Sequence, residues 1–150
     1  MKFARDRQRW LHWLFEARKR YGIQILNYAV TSNHIHLLAQ DDYEREVIPR
    51  TIQLVAGRTG QEYNHRKKRK GAFWEDRYHA TAVQEREHLI RCMVYIYMNK
   101  VRAAVVEHPS RWPDCGCNAA TDSPHFGGQM GLLSPKNTYN WDGIAIISTD

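Results

Sequence analysis

The sequence predicts an α+β fold, a two-layer α/β sandwich in which an antiparallel sheet carries its helices on one face. Three observations lead there. Two long segments, residues 5–21 and 85–104, repeat apolar residues at helical spacing. Between them lie two β-rich runs joined by a three-residue polar turn, which is the pattern of a hairpin. A further aromatic and β-branched run, residues 72–83, stands immediately before the second long helix.

In the first helix Trp10, Leu11, Leu14, Phe15 and Arg18 fall on one side, with charged residues filling the gaps, and Gly22 is placed to stop it. Ile23–Val30 then reads as a strand, Thr31-Ser32-Asn33 as the turn, and His34–Gln40 as the returning strand. Because strand side chains alternate, His34 and His36 share one face and Ile35 and Leu37 the other. Two imidazoles about 6.6 Å apart along a strand can lean onto one divalent cation. Two solvent-facing histidines on a half-buried strand remain the alternative.

Residues 44–65 read as a helix interrupted by Gly57 and Gly60, starting near Pro49, since proline is tolerated only in a first turn. The run Arg66-Lys67-Lys68-Arg69-Lys70 follows, a solvated loop or a phosphate-contacting one. In the 72–83 strand Phe73, Glu75, Arg77 and His79 share a face, opposite Trp74, Asp76 and Tyr78. Helix 85–104 carries a stripe of Leu89, Ile90, Met93, Val94, Ile96, Tyr97, Val101 and Ala104. A proline-punctuated turn, residues 107–114, offers Trp112 as a cover, and 118–143, without any period, reads as a loosely ordered tail.

Composition narrows the partners. The net charge is +6 with a sequence pI near 9.4. Asp122, Lys136, Asp142 and Asp150 leave residues 119–150 at −2, so residues 1–118 carry +8. Such a domain favours a polyanion, nucleic acid before an anionic membrane. Three cysteines supply no disulfide framework, which suits a reduced cytosol. No apolar run approaches the length needed to span a bilayer, the N-terminus is too charged for a signal peptide, and no Walker or dinucleotide motif is present. Cys115-Gly116-Cys117 near His108 and His125 lacks the second ligand pair of a zinc finger.

Within the last helix Tyr95 and Asn99 are four residues apart and therefore one above the other. A helix laid on the sheet could bring this phenol and amide to His34 and His36, giving an oxygen nucleophile beside a bound cation, an arrangement suited to phosphoryl transfer. Tyr97 competes, but its partner one turn on is Val101, which binds no metal.

Three ordered segments carry a resemblance: SNHIHLL (32–38), GAFWEDRYHATAV (71–83) and CMVYIYMNKVRAAVVEHPSRW (92–112). Across residues 5–118 the chain resembles the HUH single-tyrosine transposases, in particular the bacterial REP-associated ones. The resemblance implies a ferredoxin-like domain over 1–118, followed by the tail 119–150, and cleavage and rejoining of single-stranded DNA through a 5′-phosphotyrosine. It makes Tyr95 the nucleophile, His34, His36 and Asn99 the ligands of Mg²⁺ or Mn²⁺, and Arg77 a DNA contact beside Lys67, Lys68, Arg69 and Lys70. It further implies a homodimer, DNA hairpins as partners and a cytoplasmic, nucleoid-associated protein. Family members begin with one more strand, central in the sheet beside the histidine strand. This chain starts after it, so a truncated, less stable sheet or one completed by a partner is expected. Lys100 also replaces the family's usual proline. A catalytically inactive nucleic-acid-binding module is the alternative function, and hydrolysis by activated water a third.

Overall fold

A computed structural model describes residues 4–32, 34–41, 46–75, 77–116 and 143–149. In chain order they form α1 (Ala4–Tyr21), β1 (Gln24–Val30), β2 (Ile35–Gln40), α2 (Val47–Lys67), β3 (His79–Ala82), α3 (Arg86–Arg102), a 3₁₀ turn (Pro109–Arg111) and β4 (Ile144–Thr149). The four strands make one open antiparallel sheet in the order β1-β2-β4-β3. The α+β sandwich expected from the sequence is the fold found.

Both phases of β2 are buried, so both faces of the sheet are covered. Ile35, Leu37 and Ala39 pack with Trp10, Leu14 and Ala17 of α1 and with Ile48, Ile52 and Val55 of α2. Leu38, on the other phase, joins Leu89, Cys92 and Ile96 of α3. The sandwich layer is therefore α1 and α2, while α3 crosses the opposite face, where all helices had been expected on one side. The amphipathic stripe of α3 divides accordingly: Leu89, Cys92 and Ile96 are buried, whereas Ile90 and Val94 are 44% and 53% exposed.

Helix ends follow local chemistry. Gly22 donates its N–H to the Arg18 carbonyl at 2.9 Å and ends α1. Pro49 lies in the first turn of α2, as its missing N–H requires. Gly60 in the middle of α2 makes room for Phe73, whose Cβ would stand 3.2 Å from a Cβ at that position. This contact also explains why the strand expected over 72–83 is confined to His79–Ala82. The preceding aromatics are drawn onto α2 instead: Phe73 packs on Tyr63 with ring centroids 4.6 Å apart, and the Trp74 indole donates to the Ala56 carbonyl at 3.0 Å.

Of the tail expected to be loosely ordered, 119–142 and 150 lie outside the described residues, but Ile144–Thr149 is a strand at the centre of the sheet. It pairs on one side from Ile35↔Thr149 to Gln40↔Ile144 and on the other from His79↔Ser148 to Ala82↔Ala145. The place beside β2 that the resemblance gives to a strand ahead of α1 is thus held by β4. The reason is physical: β2 and β3 each present backbone donors and acceptors that need a partner, and Ile144, Ile146 and Ile147 supply apolar cover for both faces. Entry into β4 is tight. Gly143 has φ +81°, and a Cβ there would collide with Asp41, whose N–H donates to the Gly143 carbonyl at 3.1 Å.

The far edge of the sheet is closed by the segment after α3. Val30 N–H donates to the Asp114 carbonyl at 2.9 Å, Ala29 bridges Cys115, and the Trp112 indole donates to the Val30 carbonyl at 2.9 Å. Trp112 is the cover the sequence suggested, held between Arg7 and Lys100, each about 5 Å from its ring: 5.1 and 4.9 Å. Below it Arg7 and Asp114 form a buried ion pair at 2.5 Å.

Candidate active site

The hairpin turn between β1 and β2 fixes the first histidine. The buried Thr31 hydroxyl accepts from the His34 N–H and donates to the His34 carbonyl, both at 2.8 Å, and the Thr31 N–H adds a third bond to that carbonyl at 2.9 Å. His34, half-buried, and His36, 8% exposed, then stand on one face with nearly parallel rings, 21° apart and 6.4 Å between centroids. This is the strand repeat expected from the sequence.

Helix α3 delivers the phenol. The Tyr95 ring meets the His36 ring edge-on at 5.2 Å, and the Arg102 guanidinium lies 5.9 Å from the Tyr95 ring centre. Tyr95 is 42% exposed and, with Ile90, Arg91, Val94, Met98 and Arg102, lines an open groove of about 490 Å³. The spatial meeting of helix and hairpin, which no spacing rule guarantees, is therefore present. Tyr97 differs: it is half-buried, and burial raises its phenol above the ordinary tyrosine range. Asn99 lies one turn beyond Tyr95 on the same side of α3 and is half-buried.

Among the described residues no group of three or more His, Cys, Asp or Glu side chains gathers in one place. The side chains here that could hold a cation are the paired imidazoles of His34 and His36. The chemistry of that donor set fits a divalent transition ion, since imidazole suits borderline metals better than it suits Mg²⁺.

The remaining candidates separate. Lys67 closes α2, Lys68 caps it with φ 50°, the Arg69 guanidinium donates to the Ala72 carbonyl at 3.1 Å, and Lys70 follows, all four exposed. They lie at and beyond the C-terminal end of α2, the helix on the opposite face from Tyr95, and Arg66 is held by Asp6. Arg77 is exposed and lines an apolar cavity of about 190 Å³ between α2 and the sheet, with Trp10, Trp74 and Tyr78. Phe73 and Trp74 pack on α2. Cys115 is disulfide-bonded and so offers no thiolate to zinc, while Cys92 is free and buried. Cys117 and His125 lie outside the described residues. Sequence reasoning missed Ser148, which register places directly opposite both His36 and His79.

The antiparallel sheet thus presents paired imidazoles to a phenol on a crossing helix. The family of IS200-like transposases matches residues 3–99, and the chain belongs to that family. No curated protein and no solved structure matches it. Membership makes it a transposase-like, DNA-processing protein with DNA as its partner, in a family that is generally metal-dependent. No helix among the described residues is long and apolar enough to cross a membrane.

Proposed function

We propose that the protein cleaves and rejoins single-stranded DNA by transesterification at Tyr95. The observation that carries the reading is the Tyr95 ring 5.2 Å from His36, on the face where His34 and His36 stand side by side. In the forward step the Tyr95 phenolic oxygen forms a bond to phosphorus and the bond from phosphorus to the 3′-oxygen breaks. The phenolic proton is given up, and the 3′-oxygen leaves as a hydroxyl after taking up a proton. Attack by that hydroxyl, or by another DNA end, reverses the step and releases Tyr95.

A phenol is a weak nucleophile at neutral pH. Bound by His34, His36 and Asn99, Mn²⁺ or Mg²⁺ would polarise the scissile phosphate and offset the charge that develops there. Thr31 holds the His34 backbone at both N–H and carbonyl, which limits how far that ring can wander. Arg102 beside Tyr95 attracts the phosphate toward the groove. Arg77 and the exposed cations Lys67, Lys68, Arg69 and Lys70 would engage DNA duplex or hairpin away from the cleavage point, on the α2 face, and a homodimer would present two such sites.

The test is incubation with a labelled single-stranded oligonucleotide flanked by a hairpin, in Mn²⁺. The expected product is a denaturant-resistant protein–DNA adduct that is lost in Tyr95→Phe, kept in Tyr97→Phe and absent under chelation. A salt-sensitive mobility shift without adduct would instead mark a binding module that no longer reacts. Turnover unchanged by Tyr95→Phe would mark hydrolysis by water.

A further inference from the structure

Three neighbouring strands, β2, β4 and β3, each place one hydrogen-bonding side chain on a single line. His36 of β2 is registered with Ser148 of β4, and Ser148 with His79 of β3. Directly opposed residues of an antiparallel pair share a face, so the three side chains rise on the same side of the sheet. Strands are spaced by about 4.8 Å, which puts His79 about 10 Å from His36. The next line on that face, Leu38–Ile146–Thr81, is apolar in its first two positions, and α3 seats Cys92 and Ile96 in the cluster formed there. Polar residues thus gather where the apolar contact with α3 gives out and Tyr95 begins.

We propose that His36, Ser148 and His79 mark a track for the sugar–phosphate backbone of a single strand, in which Ser148 and His79 contact the phosphates flanking the one at Tyr95. The inference rests on the reading of Tyr95 given above and extends it to two residues outside the phenol–imidazole cluster. A hydroxyl and an imidazole N–H are both donors to phosphate oxygens. His79 is exposed, as are all residues of β3, and Ser148 is half-buried, so the line is open on the side away from β1. Tyr95 stands at one end of the line and its arginine neighbour Arg102 above it. The C-terminal strand has two parts in this arrangement: it supplies Ser148, and it is the strand to which β3, and therefore His79, is registered.

The experiment is fluorescence anisotropy of the full chain with a 5′-labelled oligothymidylate in EDTA, where no cleavage competes, followed by adduct kinetics on the hairpin substrate in Mn²⁺. His79→Ala and Ser148→Ala are each expected to weaken binding about tenfold, to a similar degree on unrelated sequences. The adduct rate at saturating DNA should stay near that of the parent, so that the loss falls on KM. His79→Gln and Ser148→Thr, which keep a donor, should recover most of the affinity. Thr81→Ala, one line down on the same strand, should bind like the parent, and melting temperatures should show all variants folded.

Binding by both alanine variants within twofold of the parent overturns the track. If adducts still form in those variants, the role of Tyr95 stands without it. If the parent forms no adduct but the alanine variants still lose affinity, the track stands and the transesterification falls. A parent that binds no single strand at all overturns both.

Discussion

Ile147→Ala tests the least expected feature of the fold, the insertion of the chain's last described strand into the middle of the sheet. Ile147 is 1% exposed and lies in the core formed with α1 and α2, opposite Leu37 on one side and Ala80 on the other. Losing three carbons from a buried side chain costs about 2.4 kcal/mol at ~0.8 kcal/mol each. The site already borders a cavity of about 190 Å³, and its other walls are helix and strand, so little collapse can recover the loss. A cavity contribution of about 1 kcal/mol brings the total to about 3.5 kcal/mol. For a chain of this size that corresponds to a melting temperature lower by about 7–14 °C. Urea denaturation followed by far-ultraviolet circular dichroism should show the same change in midpoint at an unchanged slope. Val105→Ala, at a residue 53% exposed, serves as the reference and should stay within about 0.5 kcal/mol. An Ile147→Ala protein as stable as that reference would mean that β4 does not occupy the sheet, and the line His36–Ser148–His79 would go with it.

Thr31→Val removes the hydroxyl that holds His34 at 2.8 Å on both backbone groups; Mn²⁺ affinity measured by calorimetry should fall by about tenfold, while Ser32→Ala, at an exposed turn position, should change little. Alkaline stability should follow Tyr28, whose phenol is pushed up to about 12 by burial and by the nearby Asp114 carboxylate. Because the folded value lies above the ordinary value of about 10, the stability tied to it is complete below pH 10 and is lost as pH rises through 12, by about 2 kcal/mol. Tyr28→Phe should flatten that alkaline limb in denaturation curves between pH 9 and 12, and an unchanged limb would refute the assignment.

Where local pattern decided the structure, the sequence could be read. Helix α1 and the hairpin have strong periods of their own, and the separation of His34 and His36 follows from strand geometry alone. Even Trp112 was readable, because prolines on either side leave a large indole little to do except fold back. The structure departs from the sequence reading where pairing between distant parts of the chain decides. Ile144–Thr149 ends a stretch of glycine, proline and asparagine without period, and only the unpaired edges of β2 and β3 turn it into a central strand. Phe73 and Trp74 are good strand formers in isolation, but Gly60 and the Ala56 carbonyl draw them onto α2. Ser148 carries no motif, since its neighbours across the sheet come from registers that spacing along the chain cannot supply.

The candidate site depends on the same distant contacts. Tyr95 and Asn99 share a face through helix geometry, but nothing within α3 sets their distance from His36. Two anchors outside the helix do so. On one side the segment after α3 is fastened to β1 and α1 by Trp112, by the Asp114 carbonyl and by the buried Arg7–Asp114 pair. On the other, Ile144 and Ile146 of β4 fill the floor on which Leu89, Cys92 and Ile96 rest. Breaking the ion pair by removing one partner leaves a charge buried and unpaired, which costs about 3–5 kcal/mol. Removing β4 takes away the floor itself. Either change would let α3 shift on the sheet, and a displacement of about 1 Å is enough to cost on the order of a hundredfold in a reaction that relies on orientation. The phenol–imidazole contact is accordingly a property of the whole sheet with its flanking segments, and residues with no chemistry of their own, Ile146 and Trp112 among them, govern it as directly as the hairpin does.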